Sequence, residues 1–257
     1  MVVGGNASTT EYAGHALSAP CNRCDRLDPA PAVVQNGEMA DNNFTPLTPE
    51  LHAYVVAQGV RSDEVLDRVL RDTEAMGDIS RMQISPDQGA FLTLLARAIG
   101  AERILEIGSF TGYSAICLAR SLPSDGSLLC CELEAKYAAT VRANLDDAGL
   151  SDRVEIRVGP ALETLRSLPL DPAFDLTFID ADKPGYGDYF EEVLLRTRTG
   201  GLIVLDNMLL SGLVVDPPAE NEAACALSEL NTRLAVDQRV DIVLLSVSDG
   251  MTLARKR

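Results

Sequence analysis

The chain has no tryptophan and only two histidines, and aromatic residues fill 5% of its 257 positions. It has no apolar run near the roughly 18 to 20 residues that a membrane-spanning helix requires. The first twenty residues carry neither Lys nor Arg and no continuous apolar block, so they do not read as an export signal; the cytoplasm is the expected compartment. Basic side chains are outnumbered: 22 Lys and Arg stand against 38 Asp and Glu, a net charge of −16. That sign repels nucleic acid and anionic membrane surfaces, so neither is expected as a partner. His15 lies near the start and His52 in the first expected helix, so neither stands at a strand end, and histidine base catalysis is not expected. Cys117, Cys130, Cys131 and Cys225 sit in apolar stretches and read as small buried hydrophobes. Cys21 and Cys24 form a lone C-x-x-C with only His15 nearby, short of the ligand set of a zinc site, and read as free thiols.

What is present is an ordinary globular balance, 46% hydrophobic and 23% charged, in a chain long enough to bury its own core. Residues 1–42 are rich in Gly, Ala, Pro, Asn and Ser without a sustained apolar period, and read as a disordered extension. Residues 43–257 read as one domain, with helices over 43–100 and a sheet over 101–257. Thr48, Pro49 and Glu50 give a helix start, a second helix is expected over 63–76, and Ser85, Pro86 and Asp87 open a third. Strand-like runs follow at 103–107, 127–131, 154–158, 174–179 and 202–205. They alternate with helical stretches at 114–121, 134–148, 161–168 and 186–197, the signature of βαβ units and a parallel sheet. Two late runs, 241–247 and 251–255, are joined by Ser248, Asp249 and Gly250, and so short a link permits only antiparallel neighbours. The expected class is α/β, a Rossmann-like doubly wound sheet, mainly parallel with one reversed strand, and helices on both faces.

In such a sheet, ligands bind beyond the carboxyl ends of the strands. Four strand ends there carry acids or amides: Glu106, Glu132, the group Asp180, Asp182 and Lys183, and the pair Asp206 and Asn207. The turn after the first strand reads E-x-G-x-x-x-G, from Glu106 through Gly108 to Gly112, and lacks the third glycine of a dinucleotide fingerprint. A carboxylate beside that turn disfavours a pyrophosphate and favours a cationic amine. Glu132, at the second strand end, can accept from ribose hydroxyls. A ribose and a cationic amine without phosphate fit S-adenosylmethionine better than NAD.

The segments ILEIGSFTGYS at 104–114, GPAL at 159–162, FIDADK at 178–183 and LDN at 205–207 together resemble the metal-dependent O-methyltransferases of the caffeoyl-CoA and catechol type. The resemblance runs from about Phe44 to Arg257. It implies a seven-stranded sheet with the last strand antiparallel, a homodimer, and S-adenosylmethionine with a divalent cation, Mg²⁺ first and Ca²⁺ or Mn²⁺ as alternatives. It implies Asp180, Asp206 and Asn207 as metal ligands. It implies Glu106, Gly108, Ser109, Ser114, Glu132, Ala161 and Asp182 as cofactor contacts, and Lys183, with Asp180, as catalytic residues. Two positions depart from the plant pattern: Leu210 where Trp is frequent, and Ser211 where an acceptor-contacting Asn stands.

Two carboxylates and an amide form a hard oxygen set suited to such an ion, which would leave positions for the two hydroxyls of a catechol-like acceptor. The expected partner is therefore a small hydroxylated aromatic or phenylpropanoid acceptor. Competing readings are a metal-independent methyltransferase of the same fold, a silent cofactor-binding protein, and an NAD-linked oxidoreductase. Tyr186 and Tyr189 are expected to pack their helix rather than to touch substrate.

Overall fold

Seven strands form one sheet in the order β3-β2-β1-β4-β5-β7-β6 in the computed structural model, which describes residues 45–171 and 173–257. They are β1 (Arg103–Ile107), β2 (Ser127–Glu132), β3 (Val154–Val158), β4 (Phe174–Ile179), β5 (Thr197–Leu205), β6 (Val240–Leu245) and β7 (Met251–Lys256). β7 runs antiparallel to both its neighbours, and the other pairings are parallel. This is the expected topology. The readings of residues 1–42, of Cys21 and Cys24 and of His15 lie outside the described residues. Thr45–Arg257 form one compact unit, and no helix among the described residues is long and apolar enough to cross a membrane.

Strand period two divides the core. Ile104, Phe178 and Val204 join the face covered by α2 (Glu64–Glu74), α3 (Pro86–Ala98), α4 (Tyr113–Ala119) and α5 (Ala135–Asp147). Leu105, Ile107, Ile203 and Leu205 join the other, against α6 (Ala161–Ser167), α7 (Tyr186–Arg196) and α8 (Glu222–Val236). Burial of these side chains is the main favourable term, at roughly 25 cal/mol per Å² of apolar surface. Polar caps set the helix starts: Asp63 accepts from the N–H groups of Val65 and Leu66, and the N–H of Ser85 donates to Gln88 Oε1 at 2.9 Å. α1 (Pro49–Gly59) buries none of its residues; Tyr54 and Val55 are exposed.

Three features differ from the sequence reading. β5 begins at Thr197, because Gly200 and Gly201 mask a strand that continues through them. α8 had no sequence assignment; Asn221 caps it by accepting from the N–H of Ala224 at 3.0 Å. Cys117, Cys130 and Cys131 are buried, but Cys225, near the start of α8, is only half-buried.

Candidate active site

The strand order reverses between β1 and β4, and the parallel ladder carries beyond the strand ends there. Asp180 N–H donates to Ile107 at 2.9 Å, Asp206 N–H to Ile179 at 3.0 Å, and Gly108 N–H to Cys131 at 2.9 Å. The approach is so close that a Cβ on Gly108, whose φ is +87°, would lie 1.9 Å from the Asp180 carbonyl oxygen. Glycine is the only residue that fits.

Glu132 organises the loop that follows. Its Oε2 accepts from the N–H groups of Ser109 (3.1 Å) and Phe110 (2.9 Å), and its Oε1 from that of Glu134 (2.9 Å). A carboxylate offers about four acceptor positions, so one remains open toward a ligand. Glu106 is fully buried behind the loop. Its Oε2 accepts from Ser109 Oγ (2.6 Å) and Cys130 Sγ (3.2 Å), while Oε1 has no partner among the described residues. Burial pushes its pKa up to about 7, against those hydrogen bonds, with the Asp180 charge raising it further.

At the ends of β4 and β5 the charges crowd. Lys183 Nζ donates to Asp180 Oδ1 (2.9 Å) and to the Tyr186 hydroxyl (2.7 Å); that hydroxyl donates to the Ile179 carbonyl (3.2 Å). Asp182 is held on both oxygens, accepting from Tyr189 Oη (2.6 Å) and from the N–H of Gly185 (3.2 Å). Asp206 is buried, with Oδ1 accepting from Gln88 Nε2 (2.9 Å) and from the N–H of Asn207 (2.7 Å). Burial, and next the nearby Asp180 charge, hold the Asp206 carboxyl well above the usual carboxylate range. The following loop is strained: Asn207, Leu210 and Ser211 have positive φ of 56°, 42° and 53°. Ser211 N–H donates to Asp249 Oδ1 at 2.6 Å, and Met208 N–H to the Gly250 carbonyl at 2.9 Å, pinning this loop to the β6–β7 turn.

These groups face one cavity of about 1170 Å³. Gly108, Ser109, Ser114, Glu132, Ala161, Asp180, Asp182, Lys183, Asp206 and Asn207 all line it, and Glu106 lies behind its wall. Tyr186 packs as expected, but its hydroxyl also holds Lys183. Tyr189, expected only to pack, lines the cavity. The sequence reading did not single out Gln88, which lines the cavity together with Arg81, Met82 and Gln83. The Ser85-to-Gln88 capping spacing was the one available signal for Gln88. Among the described residues no three His, Cys, Asp or Glu side chains converge as a metal-ligating group; the candidate set is two carboxylates and an amide.

The O-methyltransferase family model matches residues 57–257. The chain is 40% identical to a catechol O-methyltransferase from Niastella koreensis over 197 residues, 73% of this chain and 89% of that protein. It is 36% identical to a caffeoyl-CoA O-methyltransferase from Eucalyptus gunnii over 217 residues, 80% of this chain and 87% of that protein. An O-methyltransferase of tomaymycin synthesis from Streptomyces achromogenes, solved in complex with SAM, superposes with a TM-score of 0.75 at 36% identity, covering 80% of this chain and 96% of that one. A Rossmann-like sheet with an acid-lined cavity at its switch point defines a class of enzyme, and the chain belongs to the O-methyltransferase family.

Proposed function

We propose that this enzyme transfers the methyl group of S-adenosylmethionine to one hydroxyl of a vicinal dihydroxy aromatic acceptor, with a divalent cation, Mg²⁺ first among candidates, at Asp180, Asp206 and Asn207. The observation that carries this reading is a single cavity that joins the Glu132-bound loop to the carboxylates of Asp180 and Asp206. A family relative solved with SAM supports the cofactor. The loop 108–110 with Glu132, Ser114, Ala161 and Asp182 would hold the cofactor's ribose and amino-acid ends. Glu106, one oxygen unpartnered, suits a cofactor ammonium.

The donor set fits a cation. Asp180 and the buried Asp206 repel each other at the cavity wall, and among the described residues the only cationic side chain bonded to either is Lys183. When bound, such an ion supplies a Lewis acid that lowers the pKa of a phenol and fixes its oxygen. The chain's own residues do the rest. Lys183 Nζ, held by Asp180 and Tyr186, stands at the cavity wall as a hydrogen-bonding partner for the acceptor oxygen. Leu210 and Met82 give the acceptor end apolar walls. Transfer is an in-line displacement: the oxygen–methyl bond forms, the sulfur–methyl bond breaks with its electron pair passing to sulfur, and the hydroxyl proton passes to solvent water. Positioning and electrostatics supply the acceleration.

We also infer a homodimer, which the exposed α1 with Tyr54 and Val55 supports; light scattering at micromolar concentration is expected to give twice the chain mass, and a monomer mass would refute it. The functional test is a panel of catechols, flavonoids, hydroxycinnamates and their CoA esters with methyl-labelled cofactor. Vicinal diols are expected to take one methyl group while isolated phenols take none. A panel in which no vicinal diol is methylated, or in which monophenols react equally, would contradict the reading.

A further inference from the structure

We propose that Gln88 is a positioning residue, which fixes the carboxylate of Asp206 in the orientation that leaves one oxygen free for a cation. The two residues stand 118 positions apart, yet their side chains meet in the interior. Gln88 is 2% exposed and occupies the first turn of α3. Its amide cannot rotate without loss. The Oε1 end accepts from Ser85 N–H (2.9 Å) and from Ser85 Oγ (3.1 Å), so the Nε2 end is turned to Asp206 Oδ1 at 2.9 Å. Asn207 N–H adds a second donor to the same oxygen at 2.7 Å. Two donors fill Oδ1, and no hydrogen bond among the described residues reaches Oδ2. One carboxylate oxygen is thus tied to the protein and the other is left without a donor.

The tie also joins distant parts of the chain. Ser85 follows the cavity-lining segment 81–84, and Gln83 accepts from Thr111 Oγ1 at 3.1 Å in the loop after β1. The same cap that starts α3 therefore sets the carboxylate at the end of β5. A residue on a rigid helix that hydrogen-bonds a metal ligand is the arrangement by which proteins fix ligand geometry. The inference rests on the metal role assigned above to Asp206.

The test uses Mn²⁺ alone as the probe, with binding followed by electron paramagnetic resonance on the full chain. Gln88→Met keeps the length of the side chain and removes the donor. It is expected to weaken Mn²⁺ binding by about 10- to 100-fold, with S-adenosylmethionine affinity by calorimetry unchanged and kcat largely recovered at saturating metal. Ser85→Ala, which loosens the far end of the clamp, should shift Mn²⁺ affinity in the same direction by less. Gln88→Met that binds Mn²⁺ as wild type does would overturn the positioning role. So would a parallel loss of Mn²⁺ binding, cofactor binding and melting temperature in both variants, since that marks a purely structural part. A wild type that binds no Mn²⁺ would instead overturn the metal reading, and this inference with it.

Discussion

A carboxyl group as deeply buried as that of Glu106 ionises reluctantly, and burial pushes its pKa up to about 7. In the unfolded chain it ionises near the ordinary glutamate value of 4.5. Between those two values the folded state holds more protons, so stability present at low pH is lost as pH rises through 7, by about 3 kcal/mol in all. Glu106→Gln removes the titration. Without cofactor, the variant's melting temperature relative to wild type is expected to rise between pH 5 and pH 8, while its cofactor affinity falls. An equal difference at both pH values would show that the carboxylate bears no such cost. Tyr186→Phe tests the grip on Lys183: loss of the 2.7 Å bond should lower kcat, leave cofactor affinity unchanged and cost about 1 kcal/mol of stability. Unchanged kcat in that variant would free Lys183 from dependence on the tyrosine.

Among the elements, the turn after β1 carries the sharpest steric demand. Gly108→Ala places a Cβ against the Asp180 carbonyl at a positive φ, so a loss on the order of 3 kcal/mol is expected in urea unfolding. A loss under about 1 kcal/mol would mean that the β1 and β4 ends separate easily. Here the sequence was readable in part. Glu106, Asp180 and Asp206 could be placed because each ends an apolar run, and strand ends meet at one edge of a parallel sheet. Gly108 could be singled out as a turn residue, but its need to clear the next strand's carbonyl could not. Nor could the three N–H groups that occupy Glu132, since they depend on how the loop curls back. α8 follows the turn-rich stretch around Pro217 and Pro218, which hid where its periodicity begins. Gln88 was not singled out in the sequence, because its partner Asp206 lies 118 residues away.

For the whole molecule, the sheet places most of the proposed cofactor contacts at the ends of β1 and β2 and the proposed cation ligands at the ends of β4 and β5, facing one cavity. Cofactor binding and metal dependence should therefore separate. The measurement that tests this most directly is methyl transfer to a catechol across a Mg²⁺ titration, for wild type and Asp206→Ala, beside cofactor calorimetry on both. Chelation should silence the wild type and Mg²⁺ restore it. Asp206→Ala should lose at least about 100-fold in turnover at metal levels that saturate the wild type, yet bind S-adenosylmethionine nearly as tightly. Equal turnover in the two proteins, or a wild type indifferent to chelation, would contradict the account.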